Sequence, residues 1–357
     1  MRVLPVAVVA LGAIAAAIVI AANGATVKST AAAAPLYGVG LSAPAKAQDY
    51  ALMAAGGVRT ARFVVDWRAV QPEPNGDLQW RQIDRYMRGL AQHSLEPLPL
   101  LFATPGWVAR NYIRAPLFSA SARAAWRKFV RAAVARYGPG GSFWTENPDL
   151  PPDPVHYWQI WNEQNSPDFW APGPSPRSYA KLLKISADTL HATDPGAKIV
   201  LGGMFEGNVS FGAILSWRYL AELYRVGAAR DFDVVGAHPY SPKISSYKFQ
   251  LRRLAAVIRR HDDRVTPIWI DEIGWGSGRG GSPLNKGPEG QAQMLRRAFS
   301  FAARSRHKLD VQRILWYPWR DSLGTPEKCA FCGRTGLRRP DGSPKPAWHV
   351  FRRLALS

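Results

Sequence analysis

The stretch VHYWQIWNEQN, residues Val155–Asn165, is an aromatic-rich apolar run that stops abruptly at the polar pair Asn162-Glu163. A run with so little polar alternation suits a strand buried on both faces of a parallel sheet. A carboxylate at the end of such a strand is costly unless it has partners or chemistry to perform. Farther along, PIWIDEIGW, Pro267–Trp275, repeats the design and ends its buried run on Glu272.

Outward from these two segments, short apolar runs alternate with longer helical patterns. The strand candidates are LYGVGL (Leu36–Leu41), VRTARFVV (Val58–Val65), EPLPLLF (Glu96–Phe102), VHYWQIWN (Val155–Asn162), KIVLGG (Lys198–Gly203), FDVVGAH (Phe232–His238), PIWIDEIG (Pro267–Gly274) and QRILWYPW (Gln312–Trp319). Helical periodicity covers Gln48–Ala55, Gln79–His93, Ala120–Tyr137, Ser178–Thr193, Trp217–Val226, Gln250–His261, Glu289–Ser305 and Trp348–Leu354. Eight strands with helices between them predict an α/β fold, a single (β/α)8 TIM barrel. A doubly wound open sheet is the alternative, but no GxGxxG turn follows the first strand. Long segments after the third, fourth, seventh and eighth strands predict extended loops on the C-terminal face. No Ser- or Gly-rich linker divides residues 35–357, which read as one catalytic domain.

Both glutamates then stand at the C-terminal ends of strands, on the face where such barrels place their chemistry. Glycosidic hydrolysis needs such a pair: one carboxyl protonates the leaving oxygen, and the other attacks the anomeric carbon or activates water. WNEQN after the fourth strand and DEIGW at the end of the seventh resemble the clan A retaining glycoside hydrolases. Within that clan the chain is most similar to family 39 and its relatives, which include β-xylosidases and bacterial exopolysaccharide endoglycosidases. The resemblance runs from about Leu36 to Arg352.

The resemblance implies Glu163 as acid/base and Glu272 as nucleophile, with Asn162 on the sugar 2-hydroxyl. It implies Arg62, in GVRTARFVVDWRAVQP, as the cation that keeps the nucleophile ionised. Arg59 lies on the same run, at an offset that points to the other face. The resemblance further implies His238 and Tyr240, in GAHPYS, beside the nucleophile, and Trp316, in LWYPW, as the floor of the sugar site, followed by a non-proline cis peptide. Gln71-Pro72 stands where many relatives have Glu-Pro, a departure expected to touch structure. Trp275 is the first choice for a stacking platform, ahead of Trp107, Trp170 and Trp319. Asp66 and Trp67 are expected to line the cleft. Strand alternation predicts that Asp271 points away from Glu272. Apolar neighbours Trp158 and Trp161 predict a raised Glu163 pKa.

The chain has 357 residues and a formal charge of +20. Its cations fall mainly in helical patterns such as Arg123–Arg136, Leu251–Arg264 and Leu295–Lys308, as solvated faces or as contacts to an anionic wall or polysaccharide. There is no basic tail and no nucleic-acid motif, so a nucleic-acid partner is not expected. Arg2 precedes an uncharged run from Val3 to Ala22, so residues 1–34 read as an export signal or a retained membrane anchor. The expectation is a protein secreted or anchored to the outer face of the cell membrane. Cys329 and Cys332 are expected to form a local disulfide; a zinc site would lack its second pair. No HExxH or GxSxG occurs, and neither metal nor cofactor is expected. The function expected is a retaining O-glycoside hydrolase on β-linkages of an extracellular polysaccharide or oligosaccharide, with an endo-acting cleft; the cationic surface points to an anionic polymer. A non-catalytic carbohydrate- or wall-binding protein on a similar barrel is the alternative.

Overall fold

The computed structural model describes residues 37–206, 209–263, 265–322 and 329–357. The signal or anchor reading of residues 1–34 lies outside the described residues. Nine parallel strands are formed: β1 Tyr37–Leu41, β2 Thr60–Asp66, β3 Glu96–Phe102, β4 Tyr157–Ile160, β5 Lys198–Leu201, β6 Met204–Phe205, β7 Val235–His238, β8 Ile268–Ile273 and β9 Val311–Trp316. Their order in the sheet is β5-β4-β3-β2-β1-β9-β8-β7-β6. The open side is drawn together where the Leu201 amide donates to the Val234 carbonyl at 2.9 Å. The result is a nearly closed barrel with helices between the strands.

The count is nine rather than eight because KIVLGG does not run on as one strand. Gly202 and Gly203 interrupt it, and the chain resumes as β6. At Gly202 a Cβ would collide with the Gln164 amide and the Trp161 carbonyl; at Gly203 it would collide with the His238 imidazole and Asp271. These glycines permit close approach of neighbouring groups.

The helices are α1 Ala47–Ala55, α2 Trp67–Val70, α3 Arg81–Ala91, α4 Ala120–Tyr137, α5 Ser142–Glu146, α6 Pro176–Thr193, α7 Ser216–Arg225, α8 Ile244–Arg260, α9 Gly287–Leu309 and α10 Pro346–Ala355. Helix α4 starts where Ser119 Oγ accepts from the Ala122 amide at 3.0 Å, and α6 starts at Ser175 with Pro176 in its first turn. Helix α8 begins at Ile244 rather than Gln250, because Tyr247 is fully buried and carries the apolar face one turn further back. Ser245 and Ser246, poor helix formers, hide that turn in the sequence.

One large core fills the space between strands and helices. A second, smaller cluster of Leu98, Val200, Val234, Trp269 and Leu315 is built from alternate strand positions. Arg313 lies against Trp269, its guanidinium carbon 3.9 Å from the ring centre, and bonds Thr60 Oγ1 at 2.7 Å and Glu96 at 2.6 Å. This packing fills the barrel toward the N-terminal ends of the strands. The remaining inward polar groups gather at the opposite mouth.

Candidate active site

Arg62, on β2 and only 4% exposed, organises the mouth. Its Nε donates to Gln159 Oε1 at 2.6 Å, Nη1 to Glu272 Oε2 at 2.9 Å and Nη2 to Asn162 Oδ1 at 2.7 Å. Such a rigid fork suits a guanidinium and would not suit an ammonium. Arg59 is exposed and bonds only nearby carbonyls, as the alternation required.

The two segments quoted first reach this arginine by irregular backbone. After β4, Trp161 takes φ +67° and Glu163 φ +43°. Left-handed backbone at a bulky aromatic costs about 1–2 kcal/mol. The turn delivers both Asn162 and Glu163 to the mouth. On β8, Ile270 pairs with Ile314 but Ile273 pairs with Trp316, so three steps oppose two. This bulge overturns the expectation that Asp271 points away from Glu272. Arg62 Nε lies 3.5 Å from Asp271 Oδ2 while Nη1 holds Glu272.

His238, at the end of β7 and fully buried, bridges the carboxyls. Its Nδ1 is 2.7 Å from Glu163 Oε1, and its Nε2 is 3.3 Å from Asp271 Oδ2 and 3.9 Å from Glu272 Oε2. Burial alone would lower the imidazole pKa. Glu272, Asp271 and Glu163 outweigh it and push the pKa up to about 10, so both ring nitrogens donate at neutral pH. Burial raises the Glu163 pKa, and Glu272 adds to the rise against the opposing pull of His238. Burial also works to raise Asp271, but His238, Arg62 and Gln159 prevail and hold it below the ordinary carboxylate range. Asp271 further accepts from the Ala237 amide at 2.7 Å and from Gln159 Nε2. Tyr240 donates its hydroxyl to Glu272 Oε1 at 2.9 Å, and burial holds that hydroxyl protonated well beyond its ordinary range.

Two cationic side chains, Arg62 and His238, thus stand among three carboxyls, and burial favours the protonated form of Glu163. Oxygens of Glu163 and Glu272 and a ring nitrogen of His238 lie within 4.8 Å of one another, a donor set with the composition of a metal site. Arg62 and the protonated imidazole already supply positive charge to these donors, which leaves the set poorly suited to a divalent ion.

Two expected sugar contacts are not placed at the mouth. Trp275 and Trp316 are fully buried, packed 6.0 Å apart, and their indole N–H groups bond the carbonyls of Ser241 and Thr335. Trp316 shares its side of β9 with Ile314 and packs near Phe299 of α9, while Trp275, two residues beyond β8, packs near Tyr247 of α8. Trp170 and Trp319 are also buried, and Trp107 is half-buried against Trp67. Asp66 caps α2 and pairs with Arg68, and Trp67 is buried. Gln71 is structural: it accepts from Trp67 Nε1 at 2.9 Å.

Aromatics that sequence reasoning missed stand nearer the carboxyls. Tyr317, one step beyond Trp316, is half-buried; burial and the nearby charge of Glu272 push its hydroxyl up to about 12. The alternation that turns Trp316 outward turns Tyr317 inward, a signal the sequence did contain. Phe205 and Phe331, both half-buried, flank the Tyr240 ring at 6.3 and 5.7 Å. Cys329 and Cys332 are disulfide-bonded and enclose Phe331. Of the cis peptide bonds, Tyr317–Pro318 falls one residue beyond the expected site after Trp316, and at a proline.

No family model matches the chain, and no curated protein matches it. Solved structures do. A family 39 glycoside hydrolase from Bacteroides cellulosilyticus superposes with a TM-score of 0.68 at 19% identity, covering 90% of this chain and 64% of that one. The fold is that of the glycosidase barrels. A monomeric beta-xylosidase from Caulobacter crescentus gives a TM-score of 0.62 at 20% identity, covering 90% of this chain and 68% of that one. A GH5_18 variant from Bifidobacterium longum, in complex with Manβ1-4GlcNAc, gives 0.64 at 17% identity, covering 90% and 78%. The chain spans a little under two thirds of the first of these relatives.

Proposed function

We propose that this barrel is a retaining O-glycoside hydrolase acting on β-linkages of an extracellular polysaccharide. The observation that carries the reading is the close pair of carboxyls. Oxygens of Glu163 and Glu272 lie within 4.8 Å of each other, against roughly 5–5.5 Å for retaining and 6.5–9.5 Å for inverting pairs. A close approach of this kind favours direct attack by the second carboxylate over the intervening water that an inverting pair uses.

Glu272 is the nucleophile, held by Arg62 and Tyr240. Its oxygen attacks the anomeric carbon as the glycosidic bond breaks, and a glycosyl ester forms. Glu163 is the acid: His238 occupies Oε1, so Oε2 carries the proton that goes to the leaving oxygen. Glu163 then takes a proton from water, whose oxygen attacks the anomeric carbon and releases Glu272. Asn162, held by Arg62, meets the sugar 2-hydroxyl. Phe205, Phe331 and Tyr317 offer aromatic faces for sugar rings. The β-linked disaccharide bound by one similar structure, and the xylosidase activity named for another, support β-specificity. The formal charge of +20 supports an anionic polymer, and residues 1–34 support export with or without anchoring.

The test is a screen of the purified protein on aryl β-glycosides and polysaccharides, beside Glu163→Gln and Glu272→Gln, with product stereochemistry followed by NMR. Cleavage with retained configuration, abolished by Glu272→Gln, is the expected result. Inverted product, or full activity in Glu272→Gln, sinks the assignment. A protein inert on the whole panel that still retains glycan is a binding protein instead.

A further inference from the structure

The end of the barrel opposite the carboxyls carries a concentrated positive charge. Three neighbouring helices end there: α8 just before β8, α9 just before β9, and α10 with Ala355 against Gly57, ahead of β2. Their last turns hold Arg259 and Arg260, then Arg306, His307 and Lys308, then Arg352 and Arg353. Arg304 and Arg59 stand alongside and are exposed, as are Arg259, Arg260, Lys308, Arg352 and Arg353. Among the described residues no ion pair includes any of these exposed cations. Local acids are partly spoken for: Asp263 accepts from Tyr224 and from two backbone amides, and Asp310 from Gln312. Helix dipoles balance only about half a charge at each of three helix ends, which leaves a clear excess.

Two further features share this end. Val265, in the α8–β8 loop, is 86% exposed, and Leu356, just after α10, is 57% exposed. The described barrel also begins here. Tyr37 opens β1 with its ring stacked on Phe299 at 5.8 Å and edge-on to Phe351 at 6.2 Å. The preceding chain includes the uncharged run Val3–Ala22. A soluble polyanion would be met by cations alone. Cations interleaved with protruding aliphatic side chains match a lipid interface.

We propose that this pole docks on an anionic phospholipid surface, with the Glu163–Glu272 mouth facing away from it. The full chain is tested by co-sedimentation with vesicles of phosphatidylcholine alone and of phosphatidylcholine with phosphatidylglycerol. The expected result is binding roughly tenfold or more tighter to the anionic vesicles, lost in high salt. Lys308→Glu/Arg352→Glu/Arg353→Glu abolishes the preference, while Arg127→Glu/Lys128→Glu/Arg131→Glu, on α4 across the barrel, keeps most of it. Val265→Ser/Leu356→Ser, which leaves charge untouched, weakens binding to anionic vesicles several-fold, with circular dichroism checking the fold of every variant. Equal binding to both vesicles overturns the proposal. So does equal loss in the two charge-reversed proteins, which would mean that net charge and not this pole is read.

Discussion

Asp271 and Glu272 are consecutive in the chain, yet both carboxylates meet the guanidinium of Arg62. A regular strand would send them to opposite faces. The bulge on β8 brings them to one side, and β-bulges are often found beside active sites. Three carboxyls then share a small volume with two cations; burial favours the protonated form of Glu163, while His238 and Arg62 favour the ionised form of Asp271 against its own burial.

Glu163→Gln is expected to slow cleavage of poor leaving groups about 10²–10⁴-fold, the usual worth of a positioned acid. Aryl glycosides, whose leaving groups depart without a proton, will suffer less in the first step. Glu272→Gln will lose both. Paired kcat/KM values on an aryl glycoside and an oligosaccharide separate the roles; equal losses for both substrates in Glu163→Gln would contradict its assignment as acid.

His238 gives a signed pH prediction. Its folded pKa of about 10 stands above the ordinary 6.5, so its contribution to stability is complete below pH 6.5 and is lost as pH rises through about 10. In His238→Asn the melting temperature should fall less steeply across that window. The same change removes a cation from Glu163, so its pKa rises further and the alkaline limb of kcat/KM moves to higher pH. A limb that stays in place or moves down counts against the His238–Glu163 coupling.

Arg62→Met leaves buried Gln159 and the half-buried Glu272 and Asn162 without their shared donor and should cost about 3–5 kcal/mol of stability. Arg62→Lys keeps the charge but cannot serve three acceptors at once. Its melting temperature should recover more than its kcat. Denaturant midpoints and kcat measured side by side give the comparison.

The aromatic reassignment is testable by contrast. Trp275→Ala or Trp316→Ala empties a packed core and should cost about 3–5 kcal/mol. Phe331→Ala should hardly move the melting temperature but raise KM for oligosaccharides several-fold. If Trp275→Ala instead raised KM in a protein of unchanged stability, Trp275 would return to the sugar site.

Glu206, just after β6, accepts from Ser216 Oγ at 2.9 Å, and burial pushes its pKa up to about 7. An acid raised in the folded state holds extra protons there, so stability falls as pH climbs from about 4.5 through 7. Glu206→Gln should therefore stabilise the protein by about 2 kcal/mol at pH 8 and by little at pH 4.5. Thermal melts at the two pH values decide it.

Much of this architecture was legible. The eight apolar runs all became barrel strands, because burial on both faces leaves an unmistakable pattern, and the strand-end positions of Glu163, Glu272, Arg62, His238 and Tyr240 placed them in one mouth. What stayed hidden was local backbone geometry. Trp275 and Trp316 stand at strand ends as a sugar platform would, but the facing of a strand end depends on its phase, and β8 changes phase at a bulge. Gln159 gave no sign of its place between Arg62 and Asp271, since an amide inside an apolar run reads equally as a satisfied core group. Phe331 became visible only through the fold, which brings a distant loop over Tyr240.

The two glycines that split the fifth barrel strand give the site a requirement with no functional group attached. The imidazole of His238 occupies the space that a methyl at position 203 would fill. The carboxyl cluster thus depends on an omission: an inventory of acids and bases would pass over Gly203, yet alanine there would evict the bridge between Glu163 and Asp271 while every ionisable group remained in the chain.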